Sequence, residues 1–124
     1  MGDYLLIGIG GAVGAIARYA LAFWIIGKWG RVFPLGTFVI NVSGSFLIGF
    51  VMSILAARNI IDPQWRLLIV VGFLGGYTTF SAFEFETGTL LKQGESLAAM
   101  LYVALSVIVG FIALRIGDAL GKSI

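Results

Sequence analysis

Gly75-Gly76-Tyr77-Thr78-Thr79-Phe80-Ser81-Ala82-Phe83-Glu84 interrupts an apolar segment long enough to cross a bilayer. Paired glycines, hydroxyls and a carboxylate are costly in hydrocarbon. Irregular backbone at membrane depth is tolerated only where it is buried in protein or lines a polar cavity. The stretch therefore marks a site on an ion or solute path. Consecutive glycines weaken a helix by roughly 1 kcal/mol each, and Thr78 and Thr79 offer the backbone alternative hydrogen bonds. The pattern predicts unwinding from Gly75 to Thr79 and a discontinuous helix. Unwound carbonyls beside a half-helix suit a small cation, whereas a half-helix N-terminus favours an anion.

Around this break, polar punctuation divides the 124 residues into four apolar spans, 4–26, 35–57, 66–91 and 97–120. At about 1.5 Å per residue each is long enough for the roughly 30 Å hydrocarbon core with some tilt. The connections are short, so adjacent spans run antiparallel, and Pro34 and Pro63 fall within them. Trp24, Trp29, Trp65 and Tyr4 lie near span ends, where aromatic belts form. The composition agrees: 60% of residues are hydrophobic and 11% charged, against about 25% charged in soluble domains. The fold class read from this is an all-α membrane protein of one four-helix domain, residues 1–124.

The same composition excludes several functions. Cysteine and histidine are absent, which removes disulfides, thiol chemistry, His-based proton relays and the usual transition-metal ligands. A net charge of +2, scattered along the chain, does not suit nucleic acid. Met1-Gly2-Asp3-Tyr4 has no basic lead, so the first span is expected to be retained, and Leu6 breaks the N-myristoylation pattern. Gly8-Ile9-Gly10-Gly11 has no strand–helix context for a dinucleotide, and Gly72 to Gly76 lacks the lysine of a phosphate loop. No pair of groups resembles a nucleophile with its base, so the chain does not read as an enzyme. Glu84 and Glu86 make at most a thin case for a proton carrier.

Positive charge is nearly balanced across the membrane. Arg58, Arg66, Arg115 and Lys122 fall on one side; Lys28, Arg31 and Lys92 fall on the other, with Arg18 a few residues inside the first span. Lys and Arg bias sets orientation, so orientation is weakly specified. Within the spans the polar residues form stripes. Thr37, Asn41 and Ser45 recur every four residues, as do Tyr102, Ser106 and Gly110, and Gly10, Gly14 and Arg18. Close helix packing accounts for most such glycines, and back-bonding to the helix accounts for most membrane hydroxyls. The Asn41 amide cannot satisfy all its valences locally and needs a partner helix or a ligand. Arg18 either snorkels to the interface or puts a fixed positive charge at the mouth of an anion path. Phe80 and Phe83, three apart, face the same way; packing is the plain account, yet ring edges are positive and contact an anion without trapping it.

Two segments, Gly36-Thr37-Phe38-Val39-Ile40-Asn41-Val42-Ser43-Gly44-Ser45-Phe46 and Gly72-Phe73-Leu74-Gly75-Gly76-Tyr77-Thr78-Thr79-Phe80-Ser81-Ala82-Phe83, closely resemble the signatures of the Fluc family of small fluoride channels. Gly11-Ala12 with Arg18-Tyr19 resembles a third, weaker one, and the resemblance extends over the whole chain. It implies a passive fluoride channel of the bacterial cell membrane, built as an antiparallel homodimer with two pores and a central sodium ion. It further implies that Phe80 and Phe83 are pore aromatics and Asn41 a fluoride donor. Thr37, Thr79, Ser81, Tyr102 and Ser106 become polar pore positions and Glu86 lies beside the path. Arg18 sits near a vestibule, and Gly75 and Thr78 give backbone carbonyls to sodium. Two rival readings are a dual-topology multidrug exporter, which needs a carboxylate deep in the first span where only Asp3 stands at its edge, and a structural subunit of a larger complex, which leaves the clustered break unexplained.

Overall fold

The computed structural model describes all 124 residues and is all-helical. Four helices are long and apolar enough to cross a membrane: α1 (Gly2–Trp29), α2 (Leu35–Ala57), a composite third span (Pro63–Lys92) and α6 (Ser96–Ser123). The third span opens as α3 (Pro63–Trp65), continues through a π-helical segment (Arg66–Leu74) into α4 (Gly75–Tyr77), breaks, and resumes as α5 (Phe80–Lys92).

Three boundaries lie three residues from the sequence reading: the end of α1, the start of the third span, and the end of α6 at Ser123 rather than 120. α1 runs on through Lys28 to Trp29, where the Lys28 ammonium lies 5.0 Å from the Trp24 ring and 5.7 Å from the Trp29 ring. A cation shielded by two rings need not end a span. The third span starts at Pro63 rather than Arg66, because the Asp62 carboxylate caps it by accepting from the Gln64 N–H at 3.0 Å. Proline at the first helical position gives up an N–H that has no helical partner anyway.

The helices associate as two parallel pairs. α1 lies against the first half of the third span so closely that a side chain on Gly10 would overlap the Leu68 carbonyl, and one on Gly14 the Phe73 carbonyl. Leu68 and Phe73 are five apart, the spacing of a π turn, and the Gly75 N–H reaches back five residues to the Val70 carbonyl. The π segment thereby turns successive carbonyls toward the same neighbour. α2 and α6 form the second pair with a constant offset of 65 residues: Thr37 with Tyr102, Ser45 with Gly110, Gly49 with Leu114 and Ser53 with Asp118. Lipid tails are as apolar as leucine, so such pairs are held by dispersion across close backbones rather than by hydrophobic collapse.

Buried apolar residues gather in two small clusters. Ile40, Leu74 and Tyr77 join the two pairs, while Leu90, Ala99 and Tyr102 join α5 to α6. Ile9, Val13, Ile16, Val107 and Phe111 are exposed on the outside, as expected for faces turned to lipid.

Candidate functional site

The break is narrower than the glycine pair suggests. Gly75, Gly76 and Tyr77 remain helical, and only Thr78 (φ −84°, ψ 156°) and Thr79 (φ −149°, ψ 122°) are extended. Gly76 serves packing instead: a Cβ there would come within 2.6 Å of the Gly11 carbonyl, whereas Gly75 is exposed. The interruption comes where side chains supply substitute bonds.

Asn41 on α2 supplies the main ones. Its Nδ2 donates to the Thr79 carbonyl at 3.0 Å, and its Oδ1 accepts from the Thr79 N–H at 2.9 Å. The amide thus acts as a short piece of partner strand for an extended residue. One Nδ2 hydrogen remains free. The Thr79 hydroxyl caps α5 by accepting from the Ala82 N–H at 3.3 Å. Thr78 bonds back, hydroxyl and N–H both reaching the Leu74 carbonyl at 2.9 and 3.0 Å.

This rerouting has a backbone consequence. In a continuous helix the amides of residues 79–82 would bond the carbonyls of Gly75, Gly76, Tyr77 and Thr78. Here the Thr79 amide goes to Asn41 and the Ala82 amide to Thr79 Oγ1. The carbonyls of Gly75 and Thr78 are released, as is that of Tyr77, while the Gly76 carbonyl accepts from Arg18 Nε at 3.2 Å. Arg18 is half-buried and places its charge at the carbonyl end of a half-helix, where the helix dipole favours a cation. On the other lip, the amides of Phe80 and Ser81 open α5 without a partner in the chain. The break therefore presents acceptors on one side and donors on the other.

Four residues before Asn41 along the α2 stripe, Thr37 Oγ1 donates to Glu86 Oε2 at 2.9 Å, and Tyr102 OH donates to Glu86 Oε1 at 2.9 Å. Tyr102 is fully buried, edge-on to Phe83 at 5.0 Å and to Phe33 at 5.4 Å. Phe83 in turn lies 5.9 Å from Phe80. Phe80 itself is 69% exposed, and Ser81 beside it is exposed. One turn beyond Tyr102, Ser106 has the single buried side-chain polar atom left without a hydrogen-bond partner. In lipid, the usual satisfaction of a serine by its own helix is not made here.

Two clefts flank this row. One, of about 340 Å³, opens at the break and is lined by Asn41, Ser45, Gly75, Thr78, Thr79 and Phe80. The other, of about 430 Å³, opens at the far end of α5 and holds Arg31, Thr37, Glu86, Thr89 and Gln93. Of the residues singled out from sequence, Thr37, Glu86, Tyr102 and Phe83 form one group and Asn41, Thr79, Thr78 and Gly75 a second, with Phe80 against Phe83 and on the lining of the cleft at the break. Arg18 touches the second group only through Gly76.

A family model described as "CrcB-like protein, Camphor Resistance (CrcB)" matches residues 5–118. The chain belongs to this family. It is 46% identical over 121 residues to a protein of Acidobacterium capsulatum named "Fluoride-specific ion channel FluC", covering 98% of this chain and 97% of that relative. A protein of the same name from Solibacter usitatus is 47% identical over 119 residues, covering 96% and 98%. Another, from Geotalea daltonii, is 43% identical over 124 residues, the full length of both. With four apolar membrane-length helices, this family member is an integral membrane protein.

Sequence reasoning missed three participants. Ser43 and Tyr77 form a hydrogen-bonded pair beside the break, and the Gly76 carbonyl takes Arg18. The signal for Ser43 was its place beside the α2 stripe; nothing in the spacing paired it with Tyr77, 34 residues on.

Proposed function

We propose that the chain is a fluoride channel that lets the ion leave the cell passively, working as an antiparallel pair of copies with two pores. The observation that carries this is the full-length likeness to relatives named fluoride-specific ion channels. The geometry supplies the means. Fluoride is small and strongly hydrated, so a path must replace its water shell with donors and release it again. The row from the cleft at the break to Glu86 offers the free Nδ2 hydrogen of Asn41, the Thr79 and Ser81 hydroxyls, the unpartnered Ser106 hydroxyl and the Phe80–Phe83 ring edges. The Thr37 and Tyr102 protons are spent on Glu86, so either hydroxyl turns to an ion only by leaving that carboxylate.

A second copy fits what one copy leaves open. Phe80 is exposed and the cleft at the break has no fourth wall. Weakly specified orientation suits insertion both ways, and an isologous pair needs one self-complementary face. The released Gly75 and Thr78 carbonyls fit a hard cation such as sodium, which takes oxygen donors. When bound it would supply positive charge near an anion path. An exporter of cationic drugs is not favoured, because Asp3 stands exposed in the first turn of α1 rather than deep in the span.

The test is efflux from liposomes holding the purified protein. Fluoride passes rapidly and chloride hardly at all. Phe80→Ile and Phe83→Ile each lower fluoride efflux at least tenfold; full flux in both would refute the aromatic path.

A further inference from the structure

Asn41 grips the C-terminal lip of the break, and a second grip holds the N-terminal lip. Tyr77 is the last helical residue before Thr78 and is 7% exposed, with its ring stacked on Phe73 at 5.6 Å. Its hydroxyl lies 2.9 Å from Ser43 Oγ, which itself donates to the Ile40 carbonyl at 3.0 Å. A serine hydroxyl carries one proton. Since that proton is given to Ile40, Tyr77 is the donor to Ser43, and the chain of bonds ends in the α2 backbone. Between them sits Gly44, where a side chain would meet the Thr78 methyl group and the Tyr77 ring.

The position of this bond gives it meaning. Contacts between α2 and the α1–third-span pair are otherwise apolar ahead of the break, through Ile40, Leu74, Ala17, Leu21 and Leu47. Apolar surfaces are non-directional and slide. The Tyr77–Ser43 bond is the only hydrogen bond tying the first half of the third span to α2 before Thr78. It fixes where Tyr77 stops and so where the released Thr78 carbonyl points.

We propose that Tyr77 and Ser43 are positioning residues, a polar latch that sets the N-terminal lip of the break while Asn41 sets the other. Neither needs to touch the ion. The latch rests on the proposed ion path for its flux readout alone; the backbone readout stands without it.

Hydrogen exchange of the purified protein, read with fluoride efflux, tests this. Tyr77→Phe and Ser43→Ala each speed exchange of the Thr78 and Thr79 amides about tenfold, leave the α6 amides unchanged, and lower efflux by a similar factor. The double variant is no worse than the poorer single one, because both remove the same bond. Ser43→Thr, which keeps a hydroxyl, restores both readouts. Break amides that exchange as in the unaltered protein, or acceleration spread evenly over all helices, would overturn the latch. If the unaltered protein passes no fluoride, the channel reading fails while the exchange pattern still decides the latch.

Discussion

Asn41→Ala is the substitution with the most to say about the break. It removes two bonds at once, from Nδ2 to the Thr79 carbonyl at 3.0 Å and to Oδ1 from the Thr79 N–H at 2.9 Å. If each behaved like an average side-chain bond in a membrane protein, the loss would be about 0.6 kcal/mol per bond. If both backbone groups were left dry and unpaired, it would be about 1–3 kcal/mol each. The cleft beside Thr79 lies on the proposed ion path, where water partly replaces the lost partners. That places the total in the lower half of the range, about 1–3 kcal/mol. A factor of ten corresponds to about 1.4 kcal/mol, so fluoride efflux through a break that must stay intact falls on the order of tenfold or more. The unfolding midpoint in a detergent titration falls with it. Asn41→Asp separates the strut from the charge: it keeps an acceptor for the Thr79 N–H but faces the Thr79 carbonyl, and any approaching anion, with negative charge. Efflux through Asn41→Asp is expected below that of Asn41→Ala at equal or better stability. Efflux within twofold of the unaltered protein in Asn41→Ala, with an unchanged unfolding midpoint, would refute the reasoning.

Other outcomes follow from the same geometry. Gly14→Leu drives a side chain into the Phe73 carbonyl, forces α1 off the third span, and is expected to abolish folded protein on size exclusion, whereas Gly27→Leu, with open space around it, is expected to leave the profile unchanged. Ser53→Ala takes the hydroxyl donor from Asp118, which keeps Lys122 at 3.0 Å; stability in a detergent titration drops by about 0.5–1.5 kcal/mol, with efflux altered less than twofold. Replacing sodium by a large organic cation is expected to weaken the dimer on cross-linking or size exclusion; an unchanged dimer would count against the cation site.

Much of the architecture was legible because it depends on local quantities. Span length follows from runs of apolar residues, and the polar stripes follow from the helical period, so Thr37, Asn41 and Ser45 share a face in any such helix. The balance of Lys and Arg across the loops, and the presence of an interruption in the third span, are likewise carried by residue type. The sequence alone determined four spans, their alternating direction, the polar residues on offer and the neighbourhood of the break. Tertiary structure decided the rest. Glycine weakens a helix wherever it stands, yet Gly75 and Gly76 stay helical, with α1 close against Gly76, and the backbone opens at Thr78 and Thr79, where Asn41, 38 residues from Thr79 in sequence, provides the bonds that Thr79 gives up. A buried amide must find a partner, and which partner depends on what the fold brings within about 3 Å, a distance that no pattern of neighbours along the chain encodes.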